Sequence, residues 1–135
     1  MPEVPQSVYS VISLDEAKER TTDDSIPVVK AIGYELRARS DPRPRELRFN
    51  YFYYDKGQAV PRHRQREQEE LFFVVSGRCR IEVDGDEFEV EADDFVVIDP
   101  GPWRRITALE PSEIFAIGAP NVRDDAVFED ENPFD

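Results

Sequence analysis

The sequence predicts an all-β protein, an antiparallel sandwich or barrel, and three observations support this. From residue 46 onward it consists of eight short strand-like segments without helical periodicity, at residues 47–54, 59–66, 70–77, 78–83, 87–91, 95–98, 103–109 and 113–119. Turn residues separate these segments, and Asp84 and Gly85 suit a two-residue hairpin loop because both positions of such a loop need positive backbone angles. A length of 135 residues leaves room for one domain of this kind.

The segments before and after these strands are expected to flank the barrel. Residues 1–27 form an N-terminal arm with a helix of one or two turns, because Ser13 and Glu16 have the spacing of a capping box. Residues 28–39 alternate loosely and predict a strand with a flexible point at Gly33, followed by a turn. We therefore expect the barrel to span residues 28–120. Residues 121–135 are acidic and contain proline, which predicts a tail that is mobile or lies along the surface.

The charge balance limits the classes of partner. The chain has 30 acidic and 17 basic residues and a formal net charge of -13, so nucleic acids and anionic membranes are not expected to bind. No apolar run is long enough to span a membrane, and the first residues lack the features of a secretory signal. Cys79 is the single cysteine and cannot form an internal disulfide. A cytoplasmic location is the resulting expectation.

Arginine outnumbers lysine among the basic residues: only Lys18, Lys30 and Lys56 are lysines, and the others are arginines. An acidic, lysine-poor composition resembles that of salt-adapted proteins, in which concentrated salt screens the repulsion between crowded carboxylates. The sequence therefore predicts a protein from a halophilic organism. An ordinary acidic cytoplasmic protein is the alternative.

A spaced set of residues resembles the first conserved motif of the cupin family, G-x5-H-x-H-x3-4-E-x6-G. The matching positions here are Gly57, His63, Gln65, Glu70 and Gly77, with Gln65 where the family has its second histidine. The resemblance extends over residues 46–119 and implies a cupin-type antiparallel jelly-roll barrel with a short N-terminal strand and helix arm.

The second cupin motif, G-x5-P-x-G-x2-H-x3-N, is matched only in outline. Gly101 stands at a family glycine and Arg104 stands at the histidine. Asp93, Asp99 and Ala108 replace the first glycine, the proline and the asparagine. The metal-binding positions of both motifs are therefore degenerate in this sequence.

The resemblance implies a pocket at one end of the barrel, lined by His63, Gln65, Glu70 and Arg104. His63 and Gln65 are two residues apart on one strand, so both side chains are expected to face inward. Glu70 is expected from the neighbouring strand and Arg104 from across the barrel.

In metal-binding cupins, three histidines and a glutamate at these positions ligate a divalent transition metal. Here Arg104 has no lone pair to offer and stays protonated. At about 4 Å and an effective dielectric constant of about 20, its guanidinium would repel a divalent ion by about 8 kcal/mol. We expect no cofactor. The alternative is a loose metal site of His63, Gln65 and Glu70, with Arg104 turned outward.

Three functions are compatible with this pocket. The first, which we favour, is a metal-independent barrel that binds a small anionic or polyhydroxy ligand. The second is an enzyme: an isomerase or epimerase with His63 as its general base, or a dioxygenase if the metal site is real. The third is a structural or regulatory barrel with an inert interior. No catalytic residue is assigned on the sequence alone.

One strand segment is aromatic on both faces and carries Phe49, Tyr51, Phe52, Tyr53 and Tyr54. One face must fill the barrel, so the other needs a cover. A second copy of the chain would provide one, which predicts a homodimer. The alternative cover is the segment of residues 1–30.

Overall fold

Residues 8–21, 23–37 and 44–134 are described by the computed structural model, and they form two antiparallel sheets with little helix. The strands are β1 (Glu19–Arg20), β2 (Val28–Lys30), β3 (Arg48–Tyr54), β4 (His63–Gln65), β5 (Glu69–Ser76), β6 (Arg78–Val83), β7 (Asp86–Glu91), β8 (Phe95–Ile98), β9 (Arg104–Ala108), β10 (Ser112–Ala119) and β11 (Ala126–Phe128). The six-stranded sheet has the order β1-β2-β3-β10-β5-β8, and the five-stranded sheet has the order β11-β4-β9-β6-β7. The predicted all-β antiparallel jelly-roll barrel is confirmed.

The tightest turn forms where the sequence predicts it. Asp84 and Gly85 have φ angles of 45° and 93° and join β6 to β7, whose register pairs Val83 with Asp86. The motif glycine Gly77 also has positive φ, and a Cβ at this position would lie 2.1 Å from Ser112 Oγ. No other residue fits there without displacing the start of β10.

The expected strand over residues 28–39 is only partly correct. β2 ends at Lys30, and Ile32–Arg37 form a short helix, α1; residues 38 and 39 lie outside the described part of the chain. Ile32 and Leu36 are four residues apart, and this helical spacing lets both pack on one small cluster with Ala17. The predicted N-terminal helix is a single 3₁₀ turn, Leu14–Glu16, and Glu16 Oε1 accepts a hydrogen bond from the Ser13 backbone at 3.2 Å.

Two boundaries of the barrel also differ from the sequence expectation. β1 and β2 pair with each other and β2 pairs with β3, so part of the N-terminal arm extends the larger sheet. The acidic tail contains β11, which pairs with β4 at the edge of the smaller sheet. β4 is limited to three residues within the segment 59–66, because Pro61 cannot donate to a neighbouring strand.

The apolar core occupies one end of the space between the sheets. Its buried members come from both sheets and include Phe72, Val74, Ile81, Ile106 and Ile114. The outer face of β3 is covered within the chain, since Phe49 and Tyr51 pack against the cluster formed by the 3₁₀ turn and α1. The cover therefore comes partly from the alternative segment of residues 1–30 and partly from α1 beyond it, and β3 no longer provides an argument for a dimer.

Candidate functional site

A cavity of about 940 Å³ lies at the other end of the barrel and opens between the edges of the two sheets. All four residues singled out in the sequence line it: His63, Gln65, Glu70 and Arg104. Their strands differ from the expectation in one respect. Arg104 lies on β9 directly beside His63 on β4, whereas Glu70 reaches the site from β5 in the facing sheet.

Arg104 and Glu70 form a buried ion pair on the floor of the cavity. Arg104 Nη1 donates to Glu70 Oε1 at 2.5 Å, and the two side chains are 1% and 6% exposed. The guanidinium also donates to the backbone oxygens of Pro102 at 3.0 Å and Asp99 at 2.7 Å. Arg104 is thus fixed by three acceptors and does not turn outward.

A second arginine, Arg48 on β3, binds the opposite side of the same carboxylate. Its Nη2 lies 3.4 Å from Glu70 Oε2, and its Nε and Nη2 both donate to Gln68 Oε1, at 3.0 and 2.7 Å. Gly118 provides the space for this contact, because a Cβ there would lie 2.8 Å from Gln68 Oε1. Glu70 is therefore held between two guanidiniums.

Arg48 and Gln68 were missed in the sequence, although a signal for both exists. Gln68 precedes Glu70 by two residues, and Arg48 precedes the inward-facing Phe52 and Tyr54 by an even number of residues. Period-two alternation therefore places them on the cavity face of their strands. Neither belongs to the motif positions, which is why they were not considered.

His63 is held as a neutral imidazole beside this network. Its Nδ1 lies 2.9 Å from the Pro61 carbonyl oxygen and donates to it, which leaves Nε2 as an acceptor. Burial lowers the pKa of His63 below its ordinary value of 6.5, and this effect outweighs the attraction of Glu70. The ring of Phe128, from β11, lies 5.0 Å away from the imidazole.

Gln65 is the least satisfied polar group of the site. The residue is 3% exposed and lines the cavity, and its Oε1 has no hydrogen-bond partner among the described residues. An unpaired buried acceptor of this kind lowers the free energy of unfolding by about 1–3 kcal/mol. A hydrogen-bond donor that enters the cavity would remove this cost.

The C-terminal segment forms one wall of the cavity. Asp125 is buried and its carboxylate accepts the backbone N–H groups of Glu67 at 2.9 Å and Gln68 at 3.0 Å. This contact holds β11 against β4 and places Phe128 beside His63. No local sequence signal predicts it, since the bonded residues are more than fifty positions apart.

The pH dependence of stability follows from the lowered pKa of His63. The unfolded chain binds a proton at His63 more tightly than the folded chain does. The contribution of His63 to the free energy of unfolding is therefore complete above about pH 6.5, its pKa in the unfolded chain, and is lost as the pH falls through its lower pKa in the folded chain. We expect the free energy of unfolding, from urea titrations, to fall between about pH 7 and about pH 5, and His63→Gln to flatten that slope. The carboxyl of Glu82 titrates below this range, because the hydrogen bond from Arg105 lowers its pKa. An unchanged slope in the variant would contradict this assignment.

These features define a small antiparallel barrel with a polar, arginine-containing pocket. The cupin domain family matches residues 50–118, which is more than half of the sequence. The chain belongs to the cupin family.

Solved structures share the fold at low sequence identity. KdgF from Halomonas sp. is 18% identical with a TM-score of 0.71, and the match covers 86% of this chain and 97% of that chain. An RmlC-like cupin from Shewanella frigidimarina is 15% identical with a TM-score of 0.69, covering 90% of this chain and 98% of that chain. Pac13 of Streptomyces, a nucleoside dehydratase, is 12% identical with a TM-score of 0.71, covering 89% of this chain and 90% of that chain. A search of curated proteins found no match. Identities this low establish the fold alone.

The residues at the family's metal positions do not fit a divalent ion. The carboxylate that would serve as a ligand is paired with Arg104 and Arg48, and Gln65 contributes only a neutral amide. Within the described ranges, no group of three or more His, Cys, Asp or Glu side chains is placed to hold a metal. The loose set of His63, Gln65 and Glu70 is also unsuitable, because the guanidinium of Arg104 lies against Glu70.

The described residues contain no helix that is both long and apolar enough to cross a membrane.

Proposed function

We propose that this cupin is a metal-independent small-molecule-binding protein. The observation that carries the proposal is the buried Arg104–Glu70 pair, which puts a fixed cation where metal-binding relatives have their ion. Around this pair, the cavity is lined by Gln65, whose buried amide oxygen has no hydrogen-bond partner among the described residues, and by the neutral imidazole of His63. A cavity with convergent polar groups and apolar walls is typical of a ligand site.

Elemental analysis tests the metal-independent part of the proposal. Protein purified without chelator is expected to contain far less than one equivalent of transition metal per chain. It is also expected to bind its ligand equally well after exhaustive treatment with chelator. One equivalent of metal that co-purifies with the chain and is needed for binding would contradict the proposal.

An enzyme is the second candidate, and one observation favours it. The Nδ1 of His63 donates to a carbonyl oxygen, so Nε2 is available as a general base in an isomerase or epimerase reaction. Relatives with this fold include a nucleoside dehydratase. Turnover that follows the deprotonation of His63 and is lost in His63→Gln, with ligand binding retained, would identify the enzyme. A dioxygenase is disfavoured by the ligand chemistry, and an inert structural barrel is disfavoured by the open cavity.

A homodimer stays a prediction, and a different surface now supports it. The outer face of β5 and β8 is apolar; Phe95 and Val97 are 68% and 58% exposed, and the Phe95 ring lies 4.5 Å from that of Phe73. Within the described part of the chain, β8 is also an edge strand, so one row of its backbone groups has no neighbouring strand. By contrast, the outer face of the smaller sheet carries ion pairs such as Arg80–Glu87. We propose that a second copy covers the β5–β8 face.

Sedimentation equilibrium tests this association. We expect the native chain to form a dimer and Phe95→Asp to be monomeric at the same concentration, because a carboxylate cannot be buried there without a partner. Thr107→Asp places the same charge beside Arg80 on the outer face of the smaller sheet, so it is the control and is expected to remain dimeric. A native monomer, or equal effects of the two substitutions, would contradict the proposed surface.

Adaptation to high salt is proposed from the net charge of -13 and the scarcity of lysine. We expect the melting temperature to rise as KCl increases from about 0.1 M to about 1 M, where the screening length falls to about 3 Å. Sucrose of matched osmolality does not screen charge and is the control. A melting temperature that stays constant or falls with KCl would contradict salt adaptation and support the alternative, an ordinary acidic protein.

The cytoplasmic location stays a prediction.

A further inference from the structure

The charged groups on the floor of the cavity are committed to one another. Both oxygens of Glu70 are occupied, by Arg104 and by Arg48. Arg48 donates to Gln68, and its Nη1 lies 2.9 Å from the Asn50 oxygen when that amide is oriented to satisfy both of its groups. Neither guanidinium therefore offers the free pair of parallel N–H groups that recognises a carboxylate or phosphate in a bidentate manner.

The charges of the described residues that line the whole cavity also balance. The described residues that line the cavity include five cations and five anions: Lys18, Arg20, Arg48, Arg66 and Arg104, and Glu19, Glu70, Asp124, Asp125 and Asp130. The formal charge of the lining is thus zero, within a chain whose net charge of -13 repels anions from a distance. Nothing in this distribution favours a charged ligand over an uncharged one.

Two neutral side chains that line the cavity can accept hydrogen bonds. Gln65 Oε1 has no partner within the described residues, and His63 Nε2 is left as an acceptor by the contact between Nδ1 and Pro61. Both residues belong to β4 and are two positions apart, so they face the same cavity. Two neighbouring acceptors are complementary to a molecule that presents several hydroxyl donors.

The walls beside these acceptors are apolar. Phe52 and Phe72 line the cavity from the larger sheet, and Ile106 and Phe128 line it from the smaller sheet, with Phe128 next to His63. Flat apolar side chains pack against the C–H faces of a ring, while its hydroxyl groups bind polar side chains at the edge. The cavity therefore combines acceptors for hydroxyl groups with surfaces for a carbon ring.

From this arrangement we infer that the ligand is an uncharged polyhydroxy compound whose hydroxyl groups donate to Gln65 Oε1 and His63 Nε2. This inference rests on the proposed binding function and narrows it, because it excludes the anionic members of the ligand class. Arg104 then acts as a positioning residue that keeps Glu70 in place, rather than as a binding site for an anion.

Matched pairs of neutral and charged compounds test the inference. We choose glucose with glucuronate, myo-inositol with myo-inositol 1-phosphate, and uridine with uridine 5′-monophosphate. Saturation-transfer NMR detects binding, and chemical-shift titration of the full chain at neutral pH gives each Kd. At least one neutral compound is expected to bind, and the Kd of its charged counterpart is expected to be at least about tenfold higher.

Two substitutions link this binding to the two acceptors. Gln65→Leu and His63→Leu are each expected to weaken binding of the neutral compound about tenfold, because a ligand hydroxyl loses its acceptor. Arg64→Leu, on the outward side of the same strand, is the matched control and should leave the Kd unchanged. Thermal melting of each variant verifies folding, and the use of two variants keeps the test informative if one of them unfolds.

The outcomes separate this inference from the proposed function. Preferential binding of the charged members would overturn the inference and leave a small-molecule-binding protein in place. Neutral binding that neither Gln65→Leu nor His63→Leu weakens would overturn the assigned contacts. If no member of the panel binds, both the inference and the proposed binding function fail.

Discussion

Replacing Arg104 by methionine is expected to lower the free energy of unfolding by about 3–5 kcal/mol, as breaking a buried ion pair on one side does in other proteins. Arg104 is 1% exposed and its removal leaves the carboxylate of Glu70, which is 6% exposed, with only the longer contact to Arg48. The backbone oxygens of Asp99 and Pro102 also lose their donor. Urea titration at neutral pH measures the change.

The neighbouring Arg105 is the matched control for this substitution. Its ion pair with Glu82 has a similar length, 2.7 Å, but its side chain is 44% exposed, so Arg105→Met is expected to cost less than about 1 kcal/mol. The double variant Arg104→Met with Glu70→Met should recover most of the lost stability, because no buried carboxylate is left without a partner, and Arg48, which is 35% exposed, keeps its hydrogen bonds to Gln68. Equal costs for the two single substitutions would show that burial does not govern the energetics of the Arg104 pair.

Converting the site to the family's ligand set is expected to create metal binding, whereas none is expected of the native chain. The variant Gln65→His with Arg104→His carries three histidines and Glu70 at the motif positions, all of which line the same cavity in the native chain. Imidazole and carboxylate are good ligands for Co²⁺ and Zn²⁺, and the nearer of the two guanidiniums on Glu70, that of Arg104, is removed. A titration with Co²⁺, followed by visible absorption, should reach one equivalent per chain.

Two controls define what this gain depends on. Arg104→Met alone removes the positive charge without adding a ligand, so it should bind Co²⁺ more weakly than the double variant. The native chain should show no cobalt spectrum at the same concentrations. A native spectrum as strong as that of the double variant would mean that Arg104 does not exclude the metal.

Local patterns in the sequence were sufficient for the strands and for the inward-facing side chains. Alternation over two residues identified β3 and β5 to β10, and the Asp-Gly pair identified the β6–β7 turn. The same rule failed for residues 32–37, where apolar residues four positions apart form a helix that packs on β3. Alternation and helical spacing cannot be distinguished reliably over so short a segment.

The arrangement of the site was harder to predict because it depends on the order of strands in the sheets. The motif placed Glu70 and Arg104 in one pocket, but β4 lies beside β9 rather than β5, so their expected positions were interchanged. Hydrogen bonds between strands distant in sequence determine that order. The hydrogen bonds that Asp125 accepts from the backbone of Glu67 and Gln68, between β4 and β5, also join residues distant in sequence. No residue next to them in the sequence indicates these bonds.

β11 and the residues around it line the cavity but do not belong to the apolar core of the barrel. β11 joins the smaller sheet at one edge strand only, and its neighbours in the chain line the cavity. Substitutions or insertions within this terminal stretch can reshape the opening without altering the core between the sheets. The shape of the cavity can thus change by exchange of one short peptide, while the rest of the molecule keeps its sequence.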